Sequence, residues 1–173
     1  NLGGAWGARL KSAGYDGLVL NGKADSLVYL SINNETVELK NASHLKGKGA
    51  IETREILKDE LGDSFCIVAT GAAGEAMVTY ATLLADSDSS GSSGFGALMG
   101  AKNLKAIAVS GHGKIEVADK KAVKLMRQKV RELKYDPFIW PTTLPQERME
   151  KDICFGCING CMRVKYHPAD GRS

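Results

Sequence analysis

The chain has 173 residues, 43% of them hydrophobic, enough for one domain with a real core. Its 23 basic and 20 acidic residues leave a net charge of +3, too balanced to point to nucleic acid. No apolar run reaches the roughly 18 residues needed to span a membrane, no secretory signal opens the chain, and four cysteines with three clustered do not make a disulfide framework.

The chain opens on a glycine-rich turn, "NLGGAWG", and the expectation is a fragment of something longer. "RLKSAG" (9–14) predicts a short helix stopped by Gly14, "GLVL" (17–20) and "LVYLSI" (27–32) predict strands, and "NNE" turns the second of these into a hairpin with "TVEL" (36–39). "GAIETREILKDELG" predicts a helix, with Ile51, Ile56, Leu57 and Leu61 roughly on one face and Gly62 as its stop. "FCIVAT" (65–70) reads as a buried strand in which Cys66 acts as a small apolar residue. In "GAAGEAMVTYATLLAD" the glycines at 71 and 74 open a helix, and Glu75 reads as a charge suited to the positive end of its dipole rather than as a general base.

"SDSSGSSGFGALMG" (87–100) is the most Gly/Ser-rich stretch and leads into a strand, "LKAIAV" (104–109). It is not a dinucleotide fingerprint: the third glycine is at 100 rather than 99, a serine-rich loop precedes it and a strand follows. Walker A fails as well, since no G-x4-G-K-[ST] is present. Bare backbone N–H groups in glycine loops can still approach an anion closely. The loops at 1–7 and 91–100 therefore read either as two sides of one anionic cofactor site or as simple tight turns.

Beyond Gly113 the composition shifts. Residues 114–134 hold eight basic and three acidic residues, with Ala122, Leu125, Met126, Val130 and Leu133 as a helical stripe. That basic helix is either a solvated face or a surface that steers an acidic partner. "YDPFIWPTTLP" carries three of the four prolines and reads as a linker. Then comes "DICFGCINGC", in which Cys154, Cys157 and Cys161 are spaced C-x2-C-x3-C. Short spacers let three sulfurs converge on one metal centre; a 4Fe–4S cluster with a distant fourth cysteine fits this best. Zinc, with His167 as fourth ligand, and three unligated thiols are the alternatives. His44, His112 and His167 are scattered and read as loop histidines, and Trp6 either walls a pocket or only packs. The expected setting is reducing and cytoplasmic.

"NLGGAWGARLKSAGYDGLVLNGKA", "ELKNASHLKGKGAIETREIL", "GAAGEAMVTYA" and "GFGALMGAKNLKAIAVSGHGK", in this order, resemble the tungsten-containing aldehyde:ferredoxin oxidoreductase family. The cysteine segment falls where that family has its iron–sulfur cysteines. The resemblance implies an α+β architecture: a β-rich cofactor-binding domain over 1–113, followed over 114–173 by the start of a helical domain carrying the cysteine cluster. It implies a tungsten or molybdenum bis-pterin bound by Asn1, Gly3 and Gly4 and by the later loop Ser92, Ser93, Gly94, Phe95 and Gly96. It assigns Cys154, Cys157 and Cys161 to the 4Fe–4S cluster. The implied activity is oxidation of an aldehyde or related small carbonyl substrate, with electrons passed to ferredoxin; a homo-oligomer is compatible with it.

The sequence departs from the family pattern at the later loop, where Ser92 replaces an arginine and Ser93 a glycine, and at Ile158, where a proline is common. A seryl hydroxyl donates one hydrogen bond where arginine offers a charge-assisted pair. These departures keep open a non-catalytic iron–sulfur or zinc-binding fragment without a functional pterin site.

Overall fold

A computed structural model of the protein describes residues 2–86, 89–133, 148–157 and 164–169. It divides into two compact units, one ending at Ile115 and one beginning at Glu116.

The first unit is a six-stranded sheet in the order β2-β1-β6-β3-β4-β5. The strands are β1 (Val28–Asn33), β2 (Thr36–Asn41), β3 (Cys66–Thr70), β4 (Leu83–Leu84), β5 (Ser90–Gly91) and β6 (Leu104–Ser110). β1 and β6 run parallel and the other pairings are antiparallel. β3 and β6 are buried along their whole length, which their mostly apolar sequences suit, with Lys105 and Ser110 the exceptions in β6.

Side-chain alternation divides the sheet residues between two cores. Leu30, Ile32, Val68, Ile107 and Val109 pack with Leu10 of helix α1 (Trp6–Ser12) and Met99 of helix α4 (Phe95–Ala101). Tyr29, Ile67, Ala69, Ala106 and Ala108 pack instead with Leu57 of helix α2 (Ala50–Leu61) and with Leu45. Helix α2 ends where expected: Gly62 takes φ 95° and its N–H donates to the Lys58 carbonyl at 2.8 Å. The β1–β2 hairpin also forms, with Asn34 in the left-handed region at φ 50°.

Three expected elements differ. "GLVL" is not a strand: Leu18 and Leu20 pack against the first core and Val19 is 86% exposed, yet the segment joins no ladder. The helix opening at Gly71 is only α3 (Ala72–Glu75), after which the chain turns into β4. The glycine-rich stretch, read as loop, contains α4. The order objection to a dinucleotide fingerprint therefore falls, since a short strand precedes Gly94 and a helix follows it. The spacing objection stands, and β5 and β6 are not neighbours, so no βαβ unit exists there.

In the second unit, α5 (Lys120–Glu132) is capped by Asp119, whose carboxylate accepts from the Lys121 and Ala122 N–H groups at 2.8 and 2.9 Å. None of its described residues is buried. β7 (Met149–Lys151) and β8 (Val164–Tyr166) pair antiparallel. The cysteine segment, expected to follow a helix and a linker at the start of a helical domain, falls in the chain between β7 and β8. The proline-rich linker lies outside the described residues.

Candidate functional site

The two glycine loops meet the same hairpin. β4 and β5 pair through Leu83–Gly91 and Leu84–Ser90, and the Ala85 N–H donates to the Ser89 carbonyl at 2.7 Å. Gly4 takes φ 76°, and a Cβ there would stand 2.7 Å from the Asp86 carbonyl; one on Gly3 would stand 2.8 Å from Ser89 Oγ. Gly4 is required by backbone packed on backbone, and Gly3 lies against the Ser89 side chain. The hairpin base is anchored in turn: the Asp86 carboxylate accepts from the Ile67 N–H at 2.7 Å, and the Arg54 guanidinium donates to the Ala85 carbonyl at 2.6 Å.

The second loop leaves β5 at Gly91. Ser93 and Gly94 are both left-handed, at φ 66° and 76°, and Ser92, Ser93 and Phe95 are exposed. Gly94 and Gly96 are held against backbone, for a Cβ would stand 2.4 Å from the Thr79 carbonyl at the first and 2.5 Å from the Thr82 carbonyl at the second. The loop thus presents two hydroxyls on a rigidly seated turn that itself carries no cation. That donor set fits a polar, anionic group held by neutral hydrogen bonds. Asn1 lies outside the described residues.

Cys154 and Cys157 sit on one exposed tight turn, closed by the Cys157 N–H donating to the Cys154 carbonyl at 3.0 Å, with Gly156 at φ 71°. Two thiols on such a turn fit one edge of a sulfur-ligated centre. Cys161 lies outside the described residues. Among the described residues no group of three or more His, Cys, Asp or Glu side chains is placed to hold a metal.

Residues 1–111 match the family described as "Aldehyde ferredoxin oxidoreductase, N-terminal domain". The chain belongs to the aldehyde ferredoxin oxidoreductase family. It is similar to tungsten-containing aldehyde ferredoxin oxidoreductases of Pyrococcus abyssi, at 47% identity, and Pyrococcus horikoshii, at 37%. Each alignment covers 100% of this chain and 35% of the relative, so the chain spans about a third of the length of these relatives. The alignments run over 215 positions against 173 residues here, so the relatives carry segments that this chain lacks. A solved active-site complex BamBC of benzoyl coenzyme A reductase, with 1,5-dienoyl-CoA, superposes with a TM-score of 0.72 and 45% identity. That match covers 83% of this chain and 22% of the other.

In this aldehyde ferredoxin oxidoreductase family member the remaining singled-out residues have structural partners. His44 lies 3.0 Å from Glu60, His112 lies 3.2 Å from Ser110 Oγ, and His167 lies 3.4 Å from Glu150. The Trp6 indole N–H donates to the Ile107 carbonyl at 3.2 Å, and its ring lines a cavity of about 480 Å³ with Leu10, Tyr15, Leu18 and Leu20. Cys66 is buried, and burial, then the nearby Asp86 charge, push its thiol pKa up, which suits an inert core residue.

One pair escaped the sequence reading. Lys105, the second residue of the mostly apolar strand β6, is fully buried, with its ammonium on the Glu75 carboxylate. A lysine in such a run was the available signal, because a cation is buried only with a partner.

Proposed function

We propose that the protein is the cofactor-binding portion of an oxidoreductase that oxidises an aldehyde to a carboxylic acid and passes the electrons to ferredoxin. The observation that carries this reading is the convergence of both glycine loops on one anchored hairpin, within the segment that matches the family. Gly3 and Gly4, with Asn1, line one side of a tungsten (or molybdenum) bis-pterin, and Ser92, Ser93, Gly94, Phe95 and Gly96 line the other. When bound, that group supplies the two-electron redox centre of the reaction. The protein's own contribution is to hold and orient it through seryl hydroxyls and backbone N–H groups, and to keep the loops from moving. Cys154, Cys157 and Cys161 hold three corners of a 4Fe–4S cluster as the electron exit. Water supplies the oxygen gained by the substrate, two protons are released to solvent, and two electrons leave for ferredoxin.

The serines favour a second reading. With Ser92 where the family has arginine, the loop has lost a charge-assisted contact, and the protein is then a metal-binding fragment without a pterin site.

Metal and sulfide analysis of anaerobically purified protein, with electron paramagnetic resonance after reduction, separates the two. Iron and sulfide near four each, with tungsten or molybdenum, is the expected result. Iron and sulfide alone would establish the second reading. About one zinc without sulfide would overturn the cluster assignment as well.

A further inference from the structure

The Lys105–Glu75 pair lies apart from every residue assigned above, and its connections reach the second glycine loop. Lys105 is 0% exposed and Glu75 16%. The ammonium donates to the Glu75 carboxylate and, at 2.7 Å, to the Lys48 carbonyl. The same carboxylate accepts from the Gly47 N–H at 3.0 and 3.2 Å. Glu75 is thereby tied to strand β6 and to the turn that enters α2.

Its backbone faces the other way, onto α4. A Cβ on Gly100 would stand 1.8 Å from the Gly74 carbonyl oxygen and 3.1 Å from Glu75 Cα. A Cβ on Gly74 would stand 2.7 Å from the Gly96 carbonyl. The last residue of α3 therefore rests on α4 with no side chain between, and α4 begins where the Ser92–Gly94 turn ends. The Gly96 N–H closes the connection by donating to the Ala81 carbonyl at 2.9 Å.

A buried ion pair is a poor way to gain stability, since desolvation offsets most of the attraction and an apolar pair of similar size often does as well. What it does supply is direction, because each charged oxygen and N–H must meet its partner at a set angle. We infer that Lys105 and Glu75 are positioning residues for the second glycine loop: the pair fixes α3, α3 fixes α4, and α4 sets the Ser92–Gly94 turn at which an anionic group is held. The cofactor role of that turn rests on the function proposed above; the coupling itself does not.

The test uses the protein expressed from its whole gene, as Glu75→Gln, Lys105→Met and the double variant Glu75→Gln/Lys105→Met. Backbone hydrogen exchange at Met77, Ala81, Gly96 and Leu98 is measured beside bound pterin per folded protein. Leu57→Ala, in the core that does not include Met99 of α4, serves as a reference compared at equal global stability. The double variant leaves no uncompensated charge, so it folds even where the single ones do not.

The expected result is exchange at Gly96 and Leu98 faster by on the order of tenfold than in the reference, in the double variant too, with pterin content reduced. Exchange no faster than in Leu57→Ala would overturn the inference and reduce the pair to an ordinary stabilising contact. Faster exchange with undiminished pterin would overturn the positioning role and leave the proposed function standing. A parent protein that binds no pterin would sink the proposed function, while the exchange data would still decide the coupling.

Discussion

At the scale of single residues, burial sets the chemistry of Cys66 and exposure that of Cys154 and Cys157. Below the ordinary thiol pKa of 9.0, Cys66 is protonated both folded and unfolded and contributes nothing to pH dependence. Above it the unfolded thiol ionises while the buried one resists, so stability falls as pH rises through that range. Tyr29, raised from 10.0 chiefly by burial, acts in the same direction one unit higher. The thermal midpoint is therefore expected to drop as pH rises above 9.0 and to drop further above 10.0, and less steeply in Cys66→Ala. An unchanged slope would assign the drop to other groups. In metal-free protein at pH 8, iodoacetamide is expected to label Cys154 and Cys157 within minutes and Cys66 only on unfolding. Prior loading with iron and sulfide is expected to protect the first two. Mass spectrometry of the labelled peptides reads both outcomes, and labelling unaffected by iron and sulfide would count against a cluster on that turn.

At the scale of elements, α3 and α4 approach so closely that no side chain fits between Gly74 and Gly100. Gly100→Ala drives a methyl group into the Gly74 peptide, backbone against backbone, where no flexible side chain can give way. Destabilisation of about 3 kcal/mol is expected, the upper end for overpacking, and denaturant unfolding measures it. A loss under about 1 kcal/mol would mean that the two helices separate easily. This contact also explains what the sequence hid. Glycines at 94, 96 and 100 read as loop because glycine disfavours helix, yet here they let α4 approach its neighbours, and packing overrides propensity. "GLVL" misled in the opposite way: the alternation of Leu18 and Leu20 inward with Val19 outward is real, but no strand offers it a ladder. β3 and β6 were legible because short, mostly apolar runs rich in β-branched residues suit buried strands; α2 was legible as a helix but not in its face, since Ile51 is exposed and Thr53 takes a buried position beside Leu57. Lys105 was legible in principle, while its partner, 30 residues earlier in the chain, was not.

At the scale of the whole molecule, the core and the cysteines belong to different units. Every buried apolar side chain among the described residues lies between Leu10 and Val109, in the first unit. The first unit is stabilised by burying apolar area on both faces of one sheet, and Leu57, fully buried, is part of that. Leu57→Ala leaves a cavity that the surrounding helix and sheet fill only partly, at a cost of about 2–5 kcal/mol. Among its described residues the cysteine turn contributes no buried apolar side chain, and under the proposed function its part is ligation rather than packing. Replacing Cys154 and Cys157 together by alanine is expected to abolish iron and sulfide binding while moving the main unfolding transition by less than about 0.5 kcal/mol. Calorimetry of the parent protein and both variants, each with metal analysis, checks the two expectations in one series. A transition that collapses with the cysteine double variant would mean that the sheet depends on the cluster for its own folding, as small metal-dependent domains do. A transition that holds would instead make the sheet a self-sufficient platform, able to keep its glycine loops in place whether or not the electron exit is assembled.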